Sequence, residues 1–549
     1  MVCLRGQTTN RLPKGRWNMA TGGAVSARGV SGWRSAALGV AGVGVLLAGW
    51  ELVGQFEVFG RGWPPFTDVL ESLSKDREIL RRAAAGTIRD AVRGFAAGMA
   101  LGISLAIIGL VIIPLRRGIG RLATVVNSIP WIALGPLIVM VVSSSATPVV
   151  FASLAVFFSS FIAVSSGFNL VSASHQDVFT VLGASRTSRF WRLEIPAVLP
   201  SIVYAAKLGA PAAMFGVVFG EWFGTTEPGL GLVMVVALQQ FFTARLWAAA
   251  GLTAFIAIVA FGLFALVEEL VRRRDFSVRQ DVRELAGSGR SKEGESEPAS
   301  WRGRLVDIAL TVWPFVLVIG FWQFAVTIWD VSPIVAPTPE SVVSDIAGDP
   351  GTYFSYTFNT LQMAAVGLLV GSLIGLVTAL ASWLSPVLRG MLTTPMIIMY
   401  SVPLVATVPI MARVIGYTRT TVVAVAALVS MFPTFVLVSS GFRSTPPGAD
   451  DVFSVMGARR RARLRHLALP SAVPDFLTAL RLNGALAIVA AILGEYLTGR
   501  DGLGWLFALS YGGLEMARAW GSAVVIVILS VVVYVGASRL EERGQQRML

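Results

Sequence analysis

The stretch DVFTVLGASRTSRFWRLEIPAVLP, Asp177 to Pro200, carries three arginines between two long apolar runs. It returns as DVFSVMGARRRARLRHLALPSAVP, Asp451 to Pro474, with eleven of the 24 positions identical at a constant offset of 274. A single basic segment in such a chain reads as an interfacial helix held to anionic lipid. Lipid binding tolerates any basic amphipathic sequence, so two copies with shared glycine and proline spacing point to a shaped protein partner.

The rest of the chain supplies the setting. Its 549 residues are 54% hydrophobic and only 14% charged, with a mean hydropathy of +0.70. A soluble domain carries about 25% charged residues, so the composition is that of a polytopic membrane protein. Each membrane-crossing helix needs roughly 20 apolar residues. Six such runs fall near 35–54, 91–114, 122–142, 147–170, 201–222 and 246–270, and six more near 305–329, 361–384, 394–414, 418–441, 475–497 and 520–539. The third and ninth are interrupted by Pro130, Pro136, Pro403 and Pro409. The expected fold is therefore all-α, with about twelve transmembrane helices. The first run is long for a signal sequence and lacks a small-residue cleavage site, so it reads as a retained span.

The two sets of six are a tandem repeat. SSGF occurs at Ser165–Phe168 and again at Ser439–Phe442, while Gly94, Gly98 and Gly102 recur as Gly367, Gly371 and Gly375. Ser128 and Pro130 recur as Ser401 and Pro403. The chain divides into a basic tail (1–34), a first unit (35–270), a polar linker (271–304), a second unit (305–540) and a short tail (541–549). With an even number of spans per unit, both insert the same way up. That makes a parallel repeat with its pseudo-twofold axis along the membrane normal and a pathway between the units.

Charge gives the orientation. With a cytoplasmic N-terminus, the loops holding Arg116, Arg117 and Arg121, then Arg186, Arg189 and Arg192, then Arg272, Arg273 and Arg274 all face the cytoplasm, as the positive-inside rule requires. The net charge of +13 is explained by these loops, and no nucleic-acid partner is expected. Cys3 is the only cysteine, and His175 and His466 are the only histidines. This excludes a disulfide framework and leaves little for a metal site or histidine catalysis.

Each repeated loop reads as a short helix, a bend and a second short helix. Ser174 and Asp177 look like a helix start, and in the second copy Thr445–Pro446 does. Gly183 and Gly457 permit the bend, and Pro196 with Pro200, or Pro470 with Pro474, close the segment before the next span. The glycine triplets put small residues on one face of the second and eighth spans, where helices can approach closely. Lys207 and Arg481 lie seven residues past the second proline, roughly 10 Å along a helix. They either snorkel toward the cytoplasm or make the inner vestibule attractive to anions. Glu221 and Glu495 sit at the outward ends of spans five and eleven, as interfacial caps or as part of an outer gate.

The pattern of an acidic residue, a Gly-Ala and then Leu/Ile-Pro-x-x-x-Pro resembles the coupling-loop signature of permease subunits of binding-protein-dependent ABC importers. GEWFGTTEPGLG (220–231), GEYLTGRDGLG (494–504) and PTPESV (337–342) resemble segments of the nitrate/sulfonate/taurine-type permeases. The resemblance spans both units and departs where the family's Glu-Ala-Ala is Asp177-Val178-Phe179 and Asp451-Val452-Phe453. It implies a type I importer fold with two permease domains fused in one chain. Gly183 with Ala184, and Gly457 with Ala458, would form the bends of two coupling helices, and Arg186, Arg189, Arg460 and Arg463 would supply docking charge. Two copies of a cytoplasmic ABC ATPase, carrying the ATP and Mg, and an extracytoplasmic solute-binding protein would be the partners. The chain has no G-x-x-x-x-G-K-[ST] phosphate loop, so it would be a transport protein of the plasma membrane, with no cofactor and no catalysis of its own. The substrate would be a small polar solute or oxyanion, sulfonate-, taurine- or nitrate-like, or a vitamin precursor. Two other readings stay open: an ion-coupled secondary carrier, which usually keeps an intramembrane acid, and a non-transport membrane scaffold.

Overall fold

An uncharged run of Leu, Ala, Val and Ile can satisfy its backbone inside a bilayer by folding as a helix. The computed structural model describes residues 32–112, 138–139, 142–169, 173–224, 227–274, 316–401, 404–445 and 448–546, and all regular structure among them is helical. The first half contains α1 (Gly32–Gln55), α2 (Phe66–Lys75), α3 (Arg77–Val111), α4 (Thr147–Asn169), α5 (Ala173–Val181), α6 (Arg186–Arg189), α7 (Ile195–Gly224), α8 (Leu230–Gln239) and α9 (Thr243–Arg274). The second repeats it with α10 (Val316–Ile328), α11 (Pro339–Gly348), α12 (Pro350–Leu384), α13 (Pro386–Ser401), α14 (Leu404–Ile415), α15 (Arg419–Gly441), α16 (Ala449–Val455), α17 (Arg460–Arg463), α18 (Leu469–Thr498), α19 (Leu503–Gly512) and α20 (Met516–Gln546).

Among the described residues, 9 helices are long and apolar enough to cross a membrane: α1, α3, α4, the run α6–α7, α9, α12, α15, the run α17–α18, and α20. They coincide with nine of the twelve expected spans. The third span lies almost wholly outside the described residues, as do the loop arginines 116, 117 and 121, most of the N-terminal tail and most of the linker. The seventh is described only from Val316. The ninth, expected as one span over 394–414, is described as α13 and α14. Pro395 and Pro409 lie inside these helices, and Pro403 lies outside the described residues.

Glycine lets α3 lie against α4. A Cβ on Gly98 would sit 2.5 Å from the Ser153 carbonyl oxygen, and one on Gly102 would strike Ser160 Oγ. In the second half Gly367, Gly371 and Gly375 hold α12 against α15 in the same way, with Met431 O only 2.5 Å from a Cβ on Gly375. The matched residue numbers rise together in both pairs, so the paired helices run parallel. Replacing Gly371 by Leu is expected to cost at least the top of the roughly 1–3 kcal/mol range for overpacking, because even a Cβ there falls well inside 3.0 Å of Ala427. Gly262→Ala, where nothing stands within 4 Å, is the neutral control. Thermal unfolding in detergent separates the two.

The ends of the bundle differ. At one end lie the repeated loops. At the other, α1 is tied to the segment before α2, where Trp50 Nε1 donates to Pro64 O at 2.9 Å and its ring meets Trp247 at 4.6 Å. The second half repeats this: Trp322 Nε1 donates to Pro337 O at 3.1 Å, and Trp322 stacks on Trp520 at 4.7 Å. Arg245 makes a bidentate pair with Asp76, at 2.8 and 2.6 Å, and its guanidinium holds the Asp76 carboxyl below the usual carboxylate range. Contacts also cross between halves. Gly42 of α1 lies against the Met391 backbone of α13. The Arg413 guanidinium donates to Leu238 O and stacks 4.0 Å from the Phe241 ring.

Candidate functional site

Backbone chemistry builds the two loops the same way. α5 ends at Val181, and Gly183 takes φ +65°. The Ala184 N–H reaches back to Phe179 O at 2.9 Å and the Gly183 N–H to Thr180 O at 3.0 Å, the paired bonds of a Schellman C-cap. Gly457 repeats it at φ +63°, with Ala458 N–H to Phe453 O at 2.9 Å and Gly457 N–H to Ser454 O at 3.1 Å. A left-handed residue is needed at this point, and glycine takes that conformation without strain. Nothing lies within 4 Å of a Cβ added to either glycine, so both bends face open space. In the second loop α16 begins at Ala449 behind Gly448, whose φ of +79° turns the chain; Pro446 of the expected start Thr445–Pro446 lies outside the described residues.

After each bend comes one four-residue helix and then one π-helical turn, Phe190–Glu194 in the first copy and Leu464–Ala468 in the second. Pro196 and Pro470 follow within two residues and cannot donate to a carbonyl four positions back. The wider turn absorbs that mismatch before α7 and α18 run on. Pro200 and Pro474 lie inside those two helices.

The loop arginines are partly engaged within the chain. Arg189 Nε meets Glu194 Oε1 at 3.0 Å, and Arg463 Nη2 donates to Ser454 Oγ at 2.7 Å. Arg460 donates to Trp383 O at 3.2 Å and lies 5.7 Å from the Trp383 ring centroid. Arg186, Asp177 and Asp451 are exposed. The parts offered outward at the bends are apolar: Val181 is 86% exposed, Leu182 75%, Val455 89% and Met456 76%. Sequence reasoning singled out the glycines and arginines and passed over these four. Their signal is a V-x-G ending in which the residues beside the glycine are large and apolar in both copies.

At the opposite end, Glu221 and Glu495 turn inward. Glu221 is 3% exposed and Glu495 is fully buried. Thr87 Oγ1 donates to Glu221 Oε1 at 2.7 Å, and the Gly231 N–H donates to its Oε2 at 2.6 Å. Leu230 N–H in turn donates to Thr87 Oγ1 at 2.9 Å. In the second half Thr360 Oγ1 and the Gly504 N–H donate to Glu495 Oε2 at 3.0 and 2.9 Å, and Leu503 N–H donates to Thr360 Oγ1 at 2.9 Å. Each carboxylate therefore satisfies one otherwise unpaired amide that opens a short apolar helix, α8 or α19, its threonine partner satisfies the amide before it, and the carboxylate sits at the positive end of the helix dipole. This accounts for the Gly-Leu-Gly. A Cβ at Gly229 or Gly502 would overlap the carboxylate itself. The threonines, 134 and 135 residues away from their acids, went unnoticed in the sequence. Where the halves meet beside these acids, the Phe223 and Tyr496 rings stand 5.6 Å apart, a contact no local pattern indicates.

Lys207 and Arg481 are each paired with an acid on the last helix of their half. Lys207 Nζ bonds Glu268, and Arg481 Nη1 lies 2.8 Å from Glu541 Oε2. Thr478 Oγ1 donates to Glu541 Oε1 at 2.7 Å. The pair at Arg481 is a partly buried cross-link, with the guanidinium 30% and the Glu541 carboxyl 8% exposed. Arg481→Met is expected to destabilise by about 1–3 kcal/mol, below the roughly 3–5 kcal/mol of a fully buried pair. Arg481→Met/Glu541→Met should recover most of the loss in a double-mutant thermal unfolding cycle. The predicted site residues thus fall into two groups, the loops with these pairs toward one end and the capped acids at the other. Among the described residues no cluster of His, Cys, Asp and Glu fits a metal ion.

The family described as "Binding-protein-dependent transport system inner membrane component" matches this chain twice, over residues 98–273 and 367–548. A formylaminopyrimidine transport permease protein of Halalkalibacterium halodurans is 25% identical over 228 residues, 40% of this chain and 91% of that protein. A riboflavin transport system permease protein of Chloroflexus aurantiacus is 28% identical over 231 residues, 41% of this chain and 85% of its own length. A taurine transport system permease protein of Escherichia coli is 25% identical over 257 residues, 45% of this chain and 93% of its own. Each relative is matched over most of its length by less than half of this chain.

Proposed function

We propose, from the premise that this chain belongs to the family of binding-protein-dependent transport system inner membrane components, a mechanism in which two fused permease domains are moved by separate ATPase subunits. The chain is a multi-pass inner-membrane permease of an ABC importer. In our reading Val181–Leu182 and Val455–Met456 are the knobs that enter a groove on each of two cytoplasmic ATPase subunits, and Gly183 and Gly457 hold them out. The π-turns and prolines pass the displacement of each loop into α7 and α18. The loop end is then cytoplasmic, with both chain termini on that side, and the short helices α8 and α19 face an extracytoplasmic solute-binding protein.

The observation that carries this reading is the duplicated exposed apolar tip on a rigid Schellman bend. A solvent-facing pair of large apolar side chains is expected where a partner covers it, and two copies suit two ATPase subunits. ATP and Mg belong to that partner. The substrate class is a small polar organic solute or oxyanion, in keeping with relatives named for taurine, sulfonates, nitrate, riboflavin and formylaminopyrimidine.

The test is reconstitution. The chain alone in liposomes should give no uptake of a radiolabelled solute held by its binding protein, and uptake should appear when ATPase subunits, binding protein and ATP are added. Uptake by the chain alone, driven by an ion gradient, would instead support the secondary-carrier reading.

A further inference from the structure

At the loop end of the second half, a cavity of about 140 Å³ opens between the ends of α12 and α15 and the start of α13. Ser382, Trp383, Arg389, Thr393, Ser439 and Arg443 supply its polar and aromatic wall. Ser382 is 3% exposed, and its hydroxyl, like that of Ser439, is buried without a hydrogen-bond partner. Arg389 Nε donates to Ser382 O at 3.3 Å. Among the described residues neither Arg389 nor Arg443 has a carboxylate within ion-pair distance. Two guanidiniums sharing a cavity without an acid repel each other, and a buried hydroxyl without a partner carries a desolvation cost. Both conditions are relieved by the same thing, an anion with several acceptor oxygens.

We propose that this cavity binds a phosphate-type oxyanion, held by Arg389 and Arg443 and oriented by the hydroxyls of Ser382 and Ser439. Arginine suits such a ligand because its donors match phosphate oxygens in pairs. At the repeat's own offsets Arg389 and Ser439 recur as Arg116 and Ser165, but Ser382, Trp383, Thr393 and Arg443 correspond to Gly109, Leu110, Gly120 and Asn169, so the second half alone carries the full set. The cavity wall also touches the second loop, because Arg460 bonds the Trp383 carbonyl at 3.2 Å. A bound anion therefore braces the base of the second loop. The same chemistry arises from a phospholipid headgroup at the membrane surface or from free phosphate.

The experiment uses the full-length chain with two probes. In phosphatidylcholine nanodiscs it is titrated with inorganic phosphate by calorimetry; after extraction from bilayers containing phosphatidylglycerol, retained lipid is weighed by native mass spectrometry. One saturable equivalent of one probe is expected, phosphate marking a soluble ligand and phosphatidylglycerol a headgroup. Arg389→Gln/Arg443→Gln should weaken it by about tenfold or more. Ser382→Ala/Ser439→Ala, which preserves charge and relieves rather than strains the fold, should weaken it about threefold or more. The proposal is overturned if neither probe binds saturably, or if the arginine and serine variants both bind like the parent. It is equally overturned if Arg461→Gln/Arg465→Gln, which removes two exposed charges from the neighbouring loop, lowers binding as much as the cavity arginines do.

Discussion

Replacing Val181, Leu182, Val455 and Met456 together by aspartate is expected to abolish ATP-driven uptake while leaving the chain folded and inserted. These side chains are 75–89% exposed, so the folded chain loses almost no burial. A docked apolar side chain of this size is worth about 1.5–3 kcal/mol on full burial, and two per loop place the loss of ATPase affinity at about 100-fold or more. A carboxylate pressed into an apolar groove adds a desolvation penalty in the same direction. Gly183→Asp/Gly457→Asp should reach the same end by another route. The space around both glycines is open, so the only cost to the fold is the left-handed backbone of a non-glycine residue, about 1–2 kcal/mol per bend, while a charged side chain now projects from each bend. Co-purification with the ATPase and uptake in proteoliposomes measure both variants, and thermal unfolding guards against misfolding. Retained co-purification and normal uptake in the four-aspartate variant would remove the loops from the coupling mechanism.

Removing the buried acid at the other end should act on the fold itself. Glu495→Ala leaves the Thr360 hydroxyl and the Gly504 amide without their shared acceptor in a site with no exposure. A buried neutral donor left without its acceptor costs about 1–3 kcal/mol. The expected result is early opening of α19, seen as faster amide exchange over 503–512 and a lowered unfolding temperature. Glu495→Gln keeps an acceptor oxygen at the same place and should lose much less. If alanine and glutamine behave alike, the carboxylate does not hold the short helix in place. Glu221→Ala should weaken α8 in the same manner, with Thr87 and Gly231 as the abandoned donors.

These two sites also mark the boundary of what a single sequence reveals. Apolar runs located nine spans that the described helices reproduce, because burial of a long apolar segment is a local, additive property. The glycine bends were legible for a similar reason, since a left-handed residue leaves its mark at one position. Partnership was not legible. Glu268 and Glu541 read as charges where the last spans leave the membrane, yet they pair with Lys207 and Arg481 from 61 and 60 residues away in the chain. Thr87 and Thr360 look like ordinary helix threonines until α8 and α19 are folded back onto them.

One contact at the seam has a consequence peculiar to a fused chain. Arg413 reaches out of the second half to cap the Leu238 carbonyl of the first, and the position one repeat earlier is Met140. In an assembly of two identical subunits, a cation beside the central axis is always accompanied by its twin a short distance away, and the two repel. Joining the halves in one polypeptide removes that obligation. A lone guanidinium can then be installed on one side of the axis and its counterpart left neutral. The duplication thus does more than double a handle: it permits a charge on one side of the seam between the halves that two identical subunits would have to repeat on the other.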